Sequence, residues 1–236
     1  MDKFPVFLTF DLDGEAATRN AKSVGEPGID DPAMGRFGLT EGYQNVMDVL
    51  KRTSTKASFQ VVGCEAATYP KAIRDIAADG HELAIHSFSH PDYRMLGCDD
   101  VRDQICRTMK IIEKTTGKRP IGHRSPYWRP SPYLPQIFQE FGIKWNSDAY
   151  TVWDDRTVLR SRDAAGVLEL PSSERFDDWT CFLTKGLDND CVLDLWISEL
   201  ERYSREGDVF VLTSHPFISG QKKYASALGG FVDYIL

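Results

Sequence analysis

Residues 6–14 read VFLTFDLDG, a short apolar run that ends at two aspartates and a glycine. The β-branched and aromatic residues of this run predict a buried β-strand over Val6–Asp11. Further runs of the same kind lie at Ala57–Val62, Glu82–Ile85, Val167–Leu170 and Asp208–Thr213. The polar residues that follow several of these runs are therefore expected at strand ends.

Apolar residues at helical spacing separate the predicted strands, as at Tyr43, Val46 and Leu50. Gly80 and Gly117 each follow such a stretch and are predicted to end a helix. Strands that alternate with helices indicate βα units and a parallel sheet, either open or closed into a barrel. In both arrangements ligands bind at the carboxyl ends of the strands.

Length and composition restrict the classes of protein. The 236 residues show no linker or repeat, so we expect one domain spanning residues 1–236. The net charge of -7, without a Lys/Arg-rich run, argues against a nucleic-acid partner. No apolar run reaches the roughly 20 residues of a membrane helix, and the chain start lacks a secretory apolar region. Five cysteines without a CxxC pair favour free thiols and a cytoplasmic location.

Two aspartates end the first predicted strand. Asp11 and Asp13 are two residues apart, so their carboxylates point to the same face of an extended chain. Two adjacent negative charges are unfavourable unless a cation, a shared proton or an arginine relieves them. The alternative is a solvated turn at the strand end, because Asp and Gly both favour turns.

Two histidines follow the strand Glu82–Ile85 in the segment HSFSHP. His86 and His90 are four residues apart, which places them on one face of a helical turn that Pro91 would end. With Asp13 they would supply three ligands and leave positions for water and substrate, as in catalytic zinc sites. Asp11 would then be free to act as a base. The alternative is a pair of ordinary histidines near a strand end.

Three further segments carry candidate residues. Arg124, in GHRSPYW, is expected to neutralise and orient Asp11 through a bidentate pair, or to be a surface residue. Asp148 is a candidate site residue or a helix cap, and Trp153 a candidate site residue or a core residue. His215 ends an apolar strand, where it could protonate a leaving amine. A structural role for this histidine is the alternative.

Five segments, taken in chain order, resemble motifs of the NodB-homology polysaccharide deacetylases of carbohydrate esterase family 4. They are TFDLDGE, HSFSH, RSPY, the segment around Asp148, and LTSHP. The resemblance runs from residue 9 to about 216. It implies an α/β fold, namely a distorted (β/α) barrel of about seven parallel strands in a single domain. It also implies one divalent metal ion, with Zn2+ expected and Co2+, Ni2+ or Mn2+ as alternatives that the same ligands accept.

The resemblance implies a role for each residue that matches a motif. The implied roles are base for Asp11, metal ligands for Asp13, His86 and His90, orientation of the base for Arg124, acid for His215, and tuning of that acid for Asp148. The backbone N–H of Tyr127 would stabilise the oxyanion, and Leu212 would line the acyl pocket. Glu15, Trp128 and Trp153 are further candidate substrate contacts, with core packing as the alternative for the two tryptophans.

The segment departs from the common family motif because Leu12 separates the two aspartates. This FDxD form resembles a subgroup of cytoplasmic-type peptidoglycan deacetylases, PuuE-type allantoinases and cyclic imide hydrolases. A long segment, Glu15–Thr40, is predicted to cover the site and favour small substrates. We therefore expect N-deacetylation of an amino sugar or glycan, with ring opening of a cyclic imide or ureide as the alternative. An inactive glycan-binding homologue is a third possibility, and the subgroup resemblance suggests a homo-oligomer.

Overall fold

The structure is a computed structural model that describes residues 4–21, 31–148, 166–206 and 209–236. Seven parallel strands form one sheet in the order β6-β5-β4-β3-β2-β1-β7. The strands are β1 (Val6–Leu12), β2 (Ser58–Val61), β3 (Glu82–Ile85), β4 (Gly122–His123), β5 (Trp145–Asn146), β6 (Leu168–Glu169) and β7 (Phe210–Ser214). The sheet is an α/β half-barrel, which agrees with the distorted barrel that the sequence predicts.

Helices connect the strands and cover the outer face of the sheet. They are α1 (Gly14–Ala21), α2 (Pro32–Phe37), α3 (Tyr43–Arg52), α4 (Gly63–Thr68), α5 (Pro70–Ala78), α6 (Cys98–Thr116), α7 (Leu134–Phe141), α8 (Asn189–Glu206), α9 (Pro216–Ser219) and α10 (Ala225–Tyr234). The predicted helix end is confirmed at Gly117, which caps α6 with a positive φ, and Gly142 caps α7 in the same way. Two π-helical segments, Gly38–Gly42 and Trp179–Thr184, precede α3 and α8.

Strand β1 lies between β2 and β7 and sets the direction of the site residues. Leu8, Phe10 and Leu12 are buried in the main hydrophobic cluster with residues of the surrounding helices. Side chains alternate along a strand, so Thr9 and Asp11 point to the opposite face, inside the half-barrel. One strand therefore supplies both core packing and chemistry.

The two edges of the sheet approach each other across the interior of the half-barrel. Trp145 of β5 and Leu170, just after β6, belong to one buried cluster with Val209 and Val211 at β7. These side chains fill the lower part of the interior, which leaves the polar residues at the carboxyl ends of the strands above them. The curl of the sheet thus brings distant loops to one place.

The predicted strands agree with the observed ones to within one or two residues at each end, apart from Asp208 at the start of one predicted strand, which lies outside the described residues. Glu82–Ile85 was predicted without error, whereas β5 was missed because it has only two residues, Trp145 and Asn146. All five cysteines are free thiols, as expected. In the part of the chain that the structure describes, no helix has the length and apolar character needed to cross a membrane.

Candidate metal and catalytic site

Polar residues converge at the carboxyl ends of four strands. Asp11 and Asp13 come from the end of β1, His86 follows β3, Arg124 follows β4, and His215 follows β7. All five side chains are buried. Buried charges need partners, so their mutual contacts decide what the site can do.

Asp13, His86 and His90 form a candidate metal site. Among the described residues, they are the group of possible ligands whose atoms all lie within 4.8 Å of one another. Asp13 Oδ1 lies 3.3 Å from His86 Nε2 and 3.6 Å from His90 Nε2. Ligand atoms about 2.0–2.1 Å from one tetrahedral zinc ion are about 3.3 Å apart, so the separations suit a shared cation.

The protonation of these side chains also fits a cation. His86 Nδ1 lies 2.8 Å from the carbonyl oxygen of Arg124, which can only accept, so Nδ1 carries the proton and Nε2 faces Asp13. Asp13 Oδ1 is buried without a hydrogen-bond donor. Burial raises the pKa of Asp13, but His90 and His86 lower it by more. Burial lowers the pKa of His90 to about 4, which favours the neutral, ligating form.

The two histidines meet through a loop, so the predicted helical turn is wrong. Residues 86–90 are not helical, and Ser87 and His90 have φ values of 64° and 59°. The Ser87 hydroxyl accepts from the backbone N–H of His90 at 2.8 Å and stabilises this conformation. Tyr127 and Trp128 also have positive φ. Four of the five non-glycine residues with positive φ in the described chain thus lie in two site loops, as strained residues often do at functional sites.

Arg124 is buried and holds Asp11 in place. Its Nη1 donates to Asp11 Oδ1 at 2.7 Å, and its Nη2 donates to Thr9 Oγ1 at 3.1 Å and to Ser147 Oγ at 2.9 Å. The expected bidentate pair is therefore wrong, because Nη2 contacts the two hydroxyl groups. Asp11 Oδ2 lies 3.8 Å from His86 Nε2, on the side of the candidate ligands.

Asp178 is the carboxylate that contacts His215. It accepts from His215 Nδ1 at 2.7 Å, from the His215 backbone N–H at 2.8 Å and from Ser219 Oγ at 2.7 Å. His215 Nε2 lies 3.7 Å from Asp13 Oδ2 and points towards the candidate metal site. Burial lowers the pKa of His215, but the charges of Asp178, Asp13 and Asp11 outweigh it and raise the pKa to about 10. The imidazole is thus a proton donor at neutral pH.

The predicted partnership of Asp148 with His215 is wrong. Asp148 accepts from the backbone N–H of Ser125 at 2.6 Å and from the Ser125 hydroxyl at 2.7 Å, so it holds the loop that leads to Tyr127. Asp178 was missed in the sequence. The segment RFDDW at residues 175–179 has an aspartate directly before a tryptophan, and this signal could have identified it.

A cavity of about 480 Å³ opens above these residues. The candidate metal ligands and His215 form part of its wall. Three aromatic residues, Tyr127, Trp128 and Trp179, also line the cavity, together with Ala17 of α1. The ring of Tyr127 also packs edge-on against His90, with centroids 4.5 Å apart. Polar residues at the wall include Arg94, Arg129, Glu174, Asp177, Thr180 and Thr184. The volume is in the range of small-molecule sites.

Two predicted substrate contacts lie elsewhere. Leu212 faces the helix layer with Leu8, its neighbour in the sheet, because both occupy the outward phase of their strands. Glu15 Oε1 accepts from Arg36 Nε and from the Tyr69 hydroxyl, both at 3.0 Å, and lies outside the cavity wall. Trp153 lies outside the described residues.

The chain is similar in sequence to known deacetylases. A sequence profile for polysaccharide deacetylases matches residues 1–145. The chain is 23% identical to a peptidoglycan deacetylase of Helicobacter pylori over 231 residues, which cover 84% of this chain and 78% of that protein.

Solved structures share the fold. A Mycobacterium smegmatis protein assigned to the polysaccharide deacetylases is 29% identical, with a TM-score of 0.85 over 98% of this chain and 83% of that one. The PuuE allantoinase is 19% identical, with a TM-score of 0.81 over 98% of this chain and 83% of that one, a likeness of fold.

Proposed function

The chain belongs to the polysaccharide deacetylase family, and from this premise we propose that it is a metal-dependent hydrolase of non-peptide C–N bonds. The leading substrate is an N-acetylated amino sugar, free or in a glycan. One observation supports the proposal most strongly: the possible ligand atoms of Asp13, His86 and His90 lie close together, and Asp11 and His215 lie beside them. Such a set would supply a cation site, a base and an acid within one cavity.

Asp13, His86 and His90 would hold the divalent cation. When bound, that ion polarises the amide carbonyl and lowers the pKa of water at the site. Two imidazoles and one carboxylate suit Zn2+, and also Co2+, Ni2+ or Mn2+. The carbonyl of Arg124 fixes the His86 ring so that Nε2 is presented to the ion.

The remaining residues would move protons. Asp11 accepts the proton of the attacking water through Oδ2, because Oδ1 is occupied by Arg124. His215 donates a proton to the departing nitrogen, and Asp178 keeps this imidazole charged and oriented. The backbone N–H of Tyr127, which lines the cavity, would stabilise the negative oxygen of the attacked carbonyl.

Acetate release from chitotetraose by the zinc-loaded protein tests this proposal. Asp11→Asn is the matched control, because it preserves the shape of the side chain and should retain the metal while it abolishes acetate release. Equal rates for wild type and Asp11→Asn would contradict the assigned base. Tight chitotetraose binding with no hydrolysis of any amide would favour an inactive glycan-binding homologue.

Ring opening of a cyclic imide or ureide is the second candidate. It is favoured by the position of Ala17, which brings the segment after β1 into the cavity wall and limits the space for a polymer. Succinimide and allantoin, tested beside chitotetraose, separate the two reactions. The cytoplasm is the proposed compartment, because five free thiols fit a reducing environment. The oligomeric state stays a prediction.

A further inference from the structure

Asp177 is a cavity residue for which the proposed proton transfers have no role. It precedes Asp178 in the chain and lines the same cavity as Asp11, Asp13 and His215. Its side chain is only 3% exposed. A carboxyl group at such a place either stabilises the fold or contacts what enters the cavity.

One oxygen of Asp177 has a structural partner. Oδ1 accepts from the backbone N–H of Thr180 at 2.8 Å and so satisfies a donor in the first turn of the helical segment Trp179–Thr184, as a capping side chain does. The side chain of Thr180 also interacts with this carboxyl group. A carboxyl group can take part in about four hydrogen bonds, so Asp177 can also bind a ligand or a water molecule in the cavity that it lines.

The capping role alone does not require a carboxyl group. Ser, Thr and Asn cap helices as well as Asp does and carry no charge. Burial raises the pKa of Asp177, and with the negative charge of Asp178 it outweighs the attraction of His215, giving a pKa of about 7. An aspartate is therefore a less favourable cap here than a neutral residue. At neutral pH it can both donate and accept a hydrogen bond.

The position of Asp177 indicates whether it contacts the substrate on the side of the leaving nitrogen or on the acyl side. Asp178, the next residue, binds His215 through two hydrogen bonds, so Asp177 lies on the acid side of the cavity. The acid faces the nitrogen that leaves. A group next to that nitrogen is consequently the one within reach of Asp177.

We propose that Asp177 is a specificity-determining residue whose second carboxyl oxygen hydrogen-bonds a hydroxyl or N–H group adjacent to the scissile nitrogen. This inference rests on the proposed function, because that function defines the scissile bond. Amino sugars carry hydroxyl groups next to the amide nitrogen, and ureide rings carry a second N–H. Both supply the same chemistry, which the experiment below separates.

The experiment measures binding without turnover. Zinc-loaded Asp11→Asn protein is compared with the double variant Asp11→Asn/Asp177→Ser by calorimetry, with chitotetraose and with hydantoin as probes. Serine preserves the cap on Thr180 and removes the second oxygen, so the fold should persist. Asp31→Ser in the same background is the matched control, because Asp31 caps α2 in the same way, through the backbone N–H of Ala33, at an exposed position.

The expected result is a Kd about tenfold higher for one probe when Asp177 is changed, and no change for Asp31→Ser. Sensitivity with chitotetraose identifies a sugar hydroxyl, and sensitivity with hydantoin identifies a ring N–H. Equal Kd values with and without Asp177 overturn the inference. If Kd depends on Asp177 but the wild type hydrolyses neither probe, the proposed function fails and the inference stands. If neither probe binds, both fail.

Discussion

Asp178→Asn should change the pH dependence of hydrolysis more than any other substitution near the acid. Asp178 supplies the negative charge closest to His215 and accepts hydrogen bonds from its Nδ1 at 2.7 Å and from its backbone N–H at 2.8 Å. Asparagine is neutral and presents an amide nitrogen to one of these donors. The largest of the charges that oppose the effect of burial is lost, while those of Asp13 and Asp11 remain, so the pKa of His215 should fall from about 10 towards its ordinary value.

The size of the effect follows from the fraction of protonated imidazole. Because the protonated form of His215 is the active one, activity is present below its pKa and declines as the pH rises through it. A histidine with an ordinary pKa of about 6.5 is roughly 3% protonated at pH 8 and roughly 75% at pH 6. We therefore expect kcat of Asp178→Asn to be about thirtyfold below wild type at pH 8. The deficit should shrink about 25-fold between pH 8 and pH 6.

The assay is a pH profile of kcat for acetate release by zinc-loaded enzyme. Asp148→Asn is the control, because Asp148 was predicted from the sequence to tune His215 but contacts Ser125. Any effect of this substitution on kcat should come from the loop before Tyr127, and it should be the same factor at every pH. The assignment of His215 and Asp178 as the acid pair would be refuted by the opposite result. In that case the decline of kcat at high pH would shift in Asp148→Asn and stay unshifted in Asp178→Asn.

Three further outcomes are expected. Asp13→Ala and His86→Ala should lose bound zinc, measured by metal analysis of the purified protein, together with activity; full turnover by metal-free Asp13→Ala would contradict the ligand set. Arg124→Met should lower the free energy of unfolding by about 3–5 kcal/mol, because it leaves Asp11 buried without its cation. In the same denaturant titration, the exposed pair of Arg52 and Asp233 provides the control, with Arg52→Ala changing stability by about 1 kcal/mol or less. Leu212→Ala should destabilise the protein by about 2–5 kcal/mol while KM for acetylated substrate stays within about twofold of wild type, since its side chain packs in the helix layer; a large KM change in a stable variant would restore it to the acyl pocket.

Local patterns predicted the fold well, because they depend on neighbouring residues. The alternation along Val6–Asp11 and the helical spacing at Tyr43, Val46 and Leu50 identified elements that the structure contains. The two-residue strand β5 was too short to leave a periodic signal. The general arrangement of a curled parallel sheet followed from the order of strands and helices.

Site residues were predictable where one short segment carries the signal. Asp13, His86 and His90 converge because strand ends meet at one edge of the sheet, and the sequence identified those ends. The partner of His215 depends on which remote loop reaches the end of β7, and local spacing does not determine this. Two segments combine an aspartate with a tryptophan, one at Asp148 and one at Asp178, and the sequence prediction includes only the first. The direction of Leu212 depends on its register with Leu8, which also lies outside local information.

The alternation of side-chain direction along β1 also limits which insertions and deletions this chain can accept. Leu12 is fixed in the helix layer, so the spacing between the base and the first metal ligand is set by the pleat of a central strand. Inserting or deleting one residue in β1 before Asp11 would turn both carboxylates towards the hydrophobic core. It would also bring Phe10 and Leu12 to the reaction centre. Laboratory evolution of new substrate preference should therefore accept length changes in the surrounding loops and reject them in this strand.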